Sequence, residues 1–211
     1  MAQHFQYFLV LDFEATCKEE GKQEHEIIEF PCLLVRSDTM EVVSIFHEYV
    51  RPVHNPILSK FCIQLTGITQ DMVDDQPTFI EVLKKFESWY REHNLNPQIA
   101  TFVTCGLWDL KTMLPQQCAD SKIPIPYFLR VGPGGEFVNI KYTFATHTGT
   151  KPKGLQAMLN MLGLEFEGRP HSGIDDCRNI IRILANIVKD GVVIGNNGNN
   201  KPNTKKGKSS S

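Results

Sequence analysis

Apolar positions dominate the start of the chain and then meet an interruption. "LVLDFEAT" (residues 9–16) is a run of strand formers that carries two carboxylates, Asp12 and Glu14, near its end. Residues two apart on a strand share a face. The two acids would therefore stand together beside Phe8, Leu9, Val10, Leu11 and Phe13, which demand burial. Like charges next to a core are unfavourable unless something compensates them.

The rest of the chain alternates strand and helix patterns. "IIEFPCLLVRS" and "VVSIFHEYVRP" are β-branched and aromatic, and the turn-like Ser37, Asp38, Thr39 and Met40 join them as an antiparallel hairpin. "TFIEVLKKFESWYREHN" changes to helical period, with Phe79, Val82, Leu83, Phe86, Trp89 and Tyr90 in one stripe and a capping box from Thr78 to Glu81. "IATFVTCG" reads as a buried strand that leads into a helix at "LWDLKTMLPQQC", and residues 124–135 read as Pro/Gly-rich loop. "GLQAMLNMLG" and "GIDDCRNIIRILANIVKDG" predict closing amphipathic helices, each with a glycine suited to a C-terminal cap. This order predicts an α/β domain over residues 1–194 with a mixed β-sheet flanked by helices. The Asn/Gly/Lys/Ser-rich residues 195–211 have little to bury and predict a disordered tail. Ligands in such sheets favour the carboxyl ends of parallel strands, which is where Asp12, Glu14 and "CGLWD" fall.

A chain of 211 residues suits one sizeable domain. The six cysteines are scattered without zinc-type spacing, so they read as reduced thiols of a cytoplasmic or nuclear protein. No basic leader with a small-residue cleavage site and no bilayer-length apolar run is evident, which argues against secretion and membrane insertion. The net charge of −2 includes four tail lysines, so the body is more acidic than the whole. Such a body does not grip nucleic acid by bulk charge.

Two further acidic positions join the first pair. Asp109 follows a strand and Gly106 closely, near a helix start, where the macrodipole alone would also favour an acid. In "RPHSGIDDCRN", Pro170 and Gly173 place His171 in a loop, while Asp175 and Asp176 open the next helix. The apolar stripe of that helix turns Asp176 toward the sheet edge and leaves Asp175 as a surface acid. Each acid has an ordinary explanation, and Asp-x-Glu also fits an exposed edge strand. Gathered at one edge, however, Asp12, Glu14, Asp109 and Asp176 would repel unless cations neutralise them. All-oxygen donors select Mg²⁺ or Mn²⁺, and a pair of such ions serves in-line displacement at phosphorus. His171 then supplies a general base. The other histidines have no carboxylate at comparable spacing and read as surface or packing residues.

At this point the chain resembles a known family. "DFEAT", "WDL" and His171-x4-Asp176 are similar to the three motifs of the DEDDh 3′–5′ exonucleases. "LVLDFEATC", "FCIQLTGIT", "FVTCGLWDLK" and "GRPHSGIDDCRNI" narrow the resemblance to the Eri-type exoribonucleases, the enhanced-RNAi and 3′ histone-mRNA group. The resemblance runs over residues 6–191. It implies an RNase H-like fold and two Mg²⁺ ions on Asp12, Glu14, Asp109 and Asp176, with His171 as base assisted by Glu14. It also implies RNA 3′ ends as substrate and nucleoside 5′-monophosphates as product. Glu14, Ala15, Phe61, Trp108 and His171 would hold the terminal nucleotide. From the residues alone, Phe61 and Trp108 read as core, and "LTGIT" reads as a helix end capped by Gly67. No SAP-type RNA-binding module precedes Asp12, which points to single-stranded ends or short 3′ overhangs. A DNA-directed exonuclease and a non-catalytic RNA-binding scaffold on the same fold stay open as alternatives.

Overall fold

The structure is a computed structural model that describes residues 2–20, 25–130 and 137–198. Strand β1 (Tyr7–Leu11) is central. On one side it pairs antiparallel with β3 (Ile27–Arg36), which also carries the two-residue β2 (Glu14–Ala15) and the hairpin partner β4 (Val42–Tyr49). On the other side it pairs parallel with β5 (Ala100–Thr104), itself parallel to β6 (Phe137–Asn139). The result is a six-stranded mixed sheet, and the hairpin lies where residue pattern put it.

One expectation about the first strand needs correction. Asp12 and Glu14 do not finish a single strand, because β1 stops at Leu11 and Glu14 opens β2. The pairing register continues across the break, with Leu11 opposite Cys32 and Glu14 opposite Glu29. Asp12 therefore falls opposite Pro31, which has no N–H for the ladder. The shared face of the two acids survives.

Helices cover both sides of the sheet. The short α1 (Lys60–Thr66) and α2 (Gln70–Asp74) enclose a small cluster with Ile28 and Leu58. Helix α3 (Phe79–Glu92) starts at the expected capping box, with Thr78 N–H and Oγ donating to Glu81 Oε2 at 2.7 and 2.8 Å. Together with α4 (Leu114–Asp120) it buries Leu9, Leu11, Phe13 and Phe30 on one face. Phe8 and Val10 point the other way, under α5 (Ile140–Thr148), α6 (Leu155–Met161) and α7 (Gly173–Lys189). Gly67, at φ 79°, caps α1 as its sequence suggested.

Some local structure departs from the sequence reading. The segment after β5 opens with a π-helical turn, Asp109–Met113, before α4 begins. β6 and α5 were not anticipated. Within the segment expected to form a tail, Asn197 and Gly198 N–H both donate to Phe137 O at 3.0 Å, and Asn197 Oδ1 accepts from Asn139 N–H at 2.8 Å. These residues are hydrogen-bonded beside β6, and residues 199–211 lie outside those described. All six cysteines are free. Among the described residues, no helix is long and apolar enough to cross a membrane.

Phe86 is the hub of the larger core, with ring centroids 4.8 Å from Phe30 and 5.1 Å from Phe46. Phe86→Ala should cost about 3–5 kcal/mol, measured as a lower midpoint of urea unfolding. A cost below about 1 kcal/mol would show that the site collapses around the gap.

Candidate active site

Two parallel strands deliver the first acids to one edge. Asp12 follows β1, and Asp109 comes five residues after the end of β5. Phe13 N–H donates to Asp109 Oδ1 at 2.9 Å, which ties the two strand exits together. The Phe13 ring turns to the opposite face and packs edge-on against Phe30 at 4.8 Å. Burial of that ring, a stabilisation of roughly 1.5–3 kcal/mol, holds the flanking acids on the α7 side.

The start of α7 is fixed by a residue that sequence pattern did not single out. Glu29 on β3 is buried and accepts from Gly173 N–H at 2.9 Å and Ile174 N–H at 3.2 Å. His47 Nε2 lies 2.8 Å from Glu29 Oε1, the oxygen that also accepts from Ile174. An acid on the free N–H groups of a helix start is favoured both by hydrogen bonding and by the macrodipole. Gly173 is required for this approach, because a Cβ there would lie 2.6 Å from Asp12 O. The sheet and the helix thus meet closely enough for Asp176, in the first turn of α7, to reach the strand-exit acids.

The loop before α7 is equally constrained. His171 has φ 64°, a left-handed conformation that few non-glycine residues adopt. Its N–H donates to Asp176 Oδ2 at 3.1 Å. Asp175 is more than a surface acid, since it accepts from Arg169 N–H at 3.0 Å and pairs with Arg178 at 2.8 Å. Arg169 in turn donates to Gln64 O at 2.5 Å, near the C-terminal end of α1. That contact docks the His171 loop on the helix that carries Phe61.

The electrostatics are those of confined anions. Asp12 is pushed well above the ordinary carboxylate range by burial, then by Asp109, Asp176, Glu14 and Glu29. Glu14 rises to about 9 through burial, Asp176, Glu29 and Asp109. Burial takes Asp176 to about 7 and Asp109 to about 6, each offset in part by the backbone N–H it accepts. Three of these five carboxylates have backbone donors. Among the described residues, Asp12 and Glu14 accept no hydrogen bond, and none of the charges acting on them is basic.

The structure brings Glu14, His171 and Asp176 together, with one possible ligand atom from each within 4.8 Å of the others. Asp12 and Asp109 stand outside that group of three but within its field. Ala15 is buried in β2, and Cys62 Sγ of α1 lies 3.7 Å from its carbonyl, so half-buried Phe61 is on the adjoining helix. Trp108 is 40% exposed and edge-on to His25 at 6.2 Å, which corrects its reading as a core residue. Sequence spacing also missed the carboxylate partners of His47 and of His147, whose Nε2 is 2.9 Å from Asp190. Both partners come from other elements.

Comparison with known proteins gives this arrangement its family. An exonuclease model of the RNase T type matches residues 9–184. The chain belongs to the RNase T exonuclease family. Within it, the chain is 45% identical over 194 residues to human ERI1 exoribonuclease 3, covering 90% of this chain and 56% of the relative. It is 40% identical over 196 residues to human 3′-5′ exoribonuclease 1, covering 89% and 54% respectively. The chain thus spans little more than half the length of these curated relatives. The nuclease domain of 3′hExo, a DEDDh family member solved bound to rAMP, superimposes with a TM-score of 0.86 at 39% identity, over 93% of this chain and 98% of that one. Exonucleases of this DEDDh group are metal-dependent, and the Glu14, His171 and Asp176 cluster is a possible metal site. The RNase H-like architecture expected from sequence is the one observed.

Two outcomes follow from this geometry. In the metal-free folded chain, Asp109, Asp176 and Glu14 keep protons up to about 6, 7 and 9, whereas unfolded carboxylates release theirs near pH 4. Over that interval the folded state binds more protons, so stability falls as pH rises. With EDTA present, Tm should drop between about pH 5 and about pH 9, and Asp12→Asn should flatten the slope. A Tm that holds level or climbs would mean the acids do not confine one another. Separately, Glu29→Ala should remove hydrogen-exchange protection at the Gly173 and Ile174 amides while the middle of α7 stays protected. Unchanged protection there would show that Glu29 does not hold the helix start.

Proposed function

We propose that this chain hydrolyses RNA from the 3′ end, in the presence of Mg²⁺, and releases nucleoside 5′-monophosphates. Single-stranded ends and short 3′ overhangs are its substrates, and it works in the cytoplasm or nucleus without a membrane partner. The observation that carries this reading is the pair Asp12 and Glu14, two acids without hydrogen-bond donors among the described residues, set among further acids and close to an exposed histidine. The curated relatives named as exoribonucleases, and the rAMP-bound 3′hExo domain, support RNA as the polymer.

The donor set fits hard cations. Asp12, Glu14, Asp109 and Asp176 offer oxygen alone, which favours Mg²⁺ and admits Mn²⁺. Two such ions on these acids would neutralise the phosphate and polarise the bond to be cut. The chain's own groups do the rest. Glu14 and Asp176, near His171, stabilise its imidazole once it has taken a proton. His171 accepts that proton from a water whose oxygen bonds to phosphorus, while the bond from phosphorus to the 3′ oxygen of the shortened strand breaks. Trp108 offers an exposed face for the terminal base, and Phe61 and Ala15 line the approach from α1 and β2. Base stacking suits an acidic body, because it does not depend on net charge.

The decisive assay uses 5′-labelled RNA and DNA oligomers with Mg²⁺, Mn²⁺ or EDTA. RNA should shorten stepwise from the 3′ end with either ion and stay intact in EDTA. Faster loss of DNA would move the substrate to deoxyribose, and intact RNA under every condition would leave a binding scaffold. Asp12→Ala and Asp109→Ala should fold and lose hydrolysis, since each deletion also relieves repulsion. His171→Ala should lose about 10²–10⁴-fold in turnover and keep its Mg²⁺ affinity by calorimetry. A collapse of that affinity would make His171 a ligand in place of a base. Trp108→Ala should weaken single-strand binding more than it slows turnover of bound RNA, and unchanged affinity would remove it from the nucleotide site.

A further inference from the structure

A second recess opens at the same edge of the sheet, beside the acid cluster. It is a cleft of about 230 Å³ lined by Gly106, Leu107, Asn139, Lys141, Tyr142 and Lys151, among others. Gly106 and Leu107 lead directly into Trp108 and Asp109. Thr104 pairs with Asn139, so Lys141 emerges two residues beyond β6 at the strand end shared with β5. Cys105, at the exit of β5, is close enough to Asp12, Asp109, Asp176 and Lys141 for each of them to act on its thiol. The cleft and the acids are therefore neighbours.

Its charge is opposite to theirs. Neither Lys141 nor Lys151 has an ion pair or a side-chain hydrogen bond among the described residues. Two unpaired cations face one recess on a chain whose net charge is negative. Like charges held together in this way are relieved by an anion. The cleft is smaller than the roughly 300–1,000 Å³ that encloses a small molecule, so it fits a strand that passes over it. Half-buried Tyr142 adds a ring against which a base can stack.

We propose that the Lys141–Tyr142–Lys151 cleft is a subsite for the RNA strand upstream of the terminal nucleotide. The lysines bind the phosphates that lie beyond the bond being cut. This inference rests on the RNA reading above, and its own residues lie outside the catalytic group. A strand whose 3′ end enters the acid cluster would carry its next phosphates toward the neighbouring wall, where Lys141 and Lys151 line the cleft.

The test measures binding and hydrolysis separately. Affinity for a fluorescein-labelled 12-nucleotide single-stranded RNA is read by anisotropy in EDTA, across a salt series, for the wild type, Lys141→Ala, Lys151→Ala and the double variant. The double variant should bind about tenfold more weakly, and its salt slope should be shallower by about 1.4, the loss of two phosphate contacts on a single strand. Lys141→Arg should restore affinity. With Mg²⁺, KM for the 12-mer should rise while kcat holds. Hydrolysis of the p-nitrophenyl ester of uridine 5′-monophosphate, which has no upstream nucleotide, should be unchanged. Equal affinity and equal salt slope in the double variant and the wild type would overturn the cleft assignment whatever the hydrolysis shows. A wild type that binds RNA through these lysines yet never cleaves it would instead sink the catalytic reading and leave the subsite standing.

Discussion

Mutual repulsion among buried carboxylates is the constraint around which this fold is built. Asp12, Glu14, Glu29, Asp109 and Asp176 meet at one sheet edge, and burial is the first cause that pushes Asp12, Glu14, Asp109 and Asp176 upward. Glu14 and Glu29 stand directly opposite each other on paired strands, a placement that normally destabilises a sheet. A chain that tolerates this must hold the acids with something stronger than their own interactions.

The holding force is apolar and lies behind the acids. Alternation along β1 sends Leu9, Leu11 and Phe13 into one core and Phe8 and Val10 into the other, so the strand is anchored on both faces. What remains is handled by backbone donors, with Phe13 serving Asp109, His171 serving Asp176, and Gly173 and Ile174 serving Glu29. Each hydrogen bond also sets geometry. Glu29 draws the start of α7 onto the sheet, and Gly173 removes the Cβ that would prevent it. Asp12 and Glu14 receive no such donor among the described residues, which leaves them as the groups that need an external charge.

Much of this was legible because burial imposes period. β1, the hairpin, α3, β5 and α7 each carry an apolar pattern; Asp12 and Glu14 follow β1, Asp109 follows β5, and His171 and Asp176 flank the start of α7. Shorter or weaker signals were not readable. β6 has three residues, and α5 follows it with no polar face clear enough to set a period. The break between Leu11 and Glu14 falls opposite Pro31, which is nineteen residues from Asp12 in sequence and faces it only once the strands pair. Glu29, His47 and Arg169 were invisible for a related reason: their partners lie on other elements, so no local spacing encodes them. Residue type alone put Trp108 in the core because its size argues for burial, whereas its place at the start of the π-helical turn leaves it at the rim.

The same edge joins two opposite charges, and that juxtaposition has a thermodynamic consequence. A polyanionic strand seated over Lys141 and Lys151 brings its end toward a group of acids that repel it. On the proposed reading, cations on those acids reverse the local field, so strand and cation favour each other's binding. Linkage makes the effect reciprocal: whatever factor the cations add to strand affinity, the strand adds to cation affinity. On the same reading, the lysine cleft beside the acids contributes to strand binding with or without the cations. An acidic body can then hold RNA without a broad basic surface. On the proposed reading its affinity is concentrated at one strand end, where a polymer terminus enters the acids and its upstream phosphates reach the lysines.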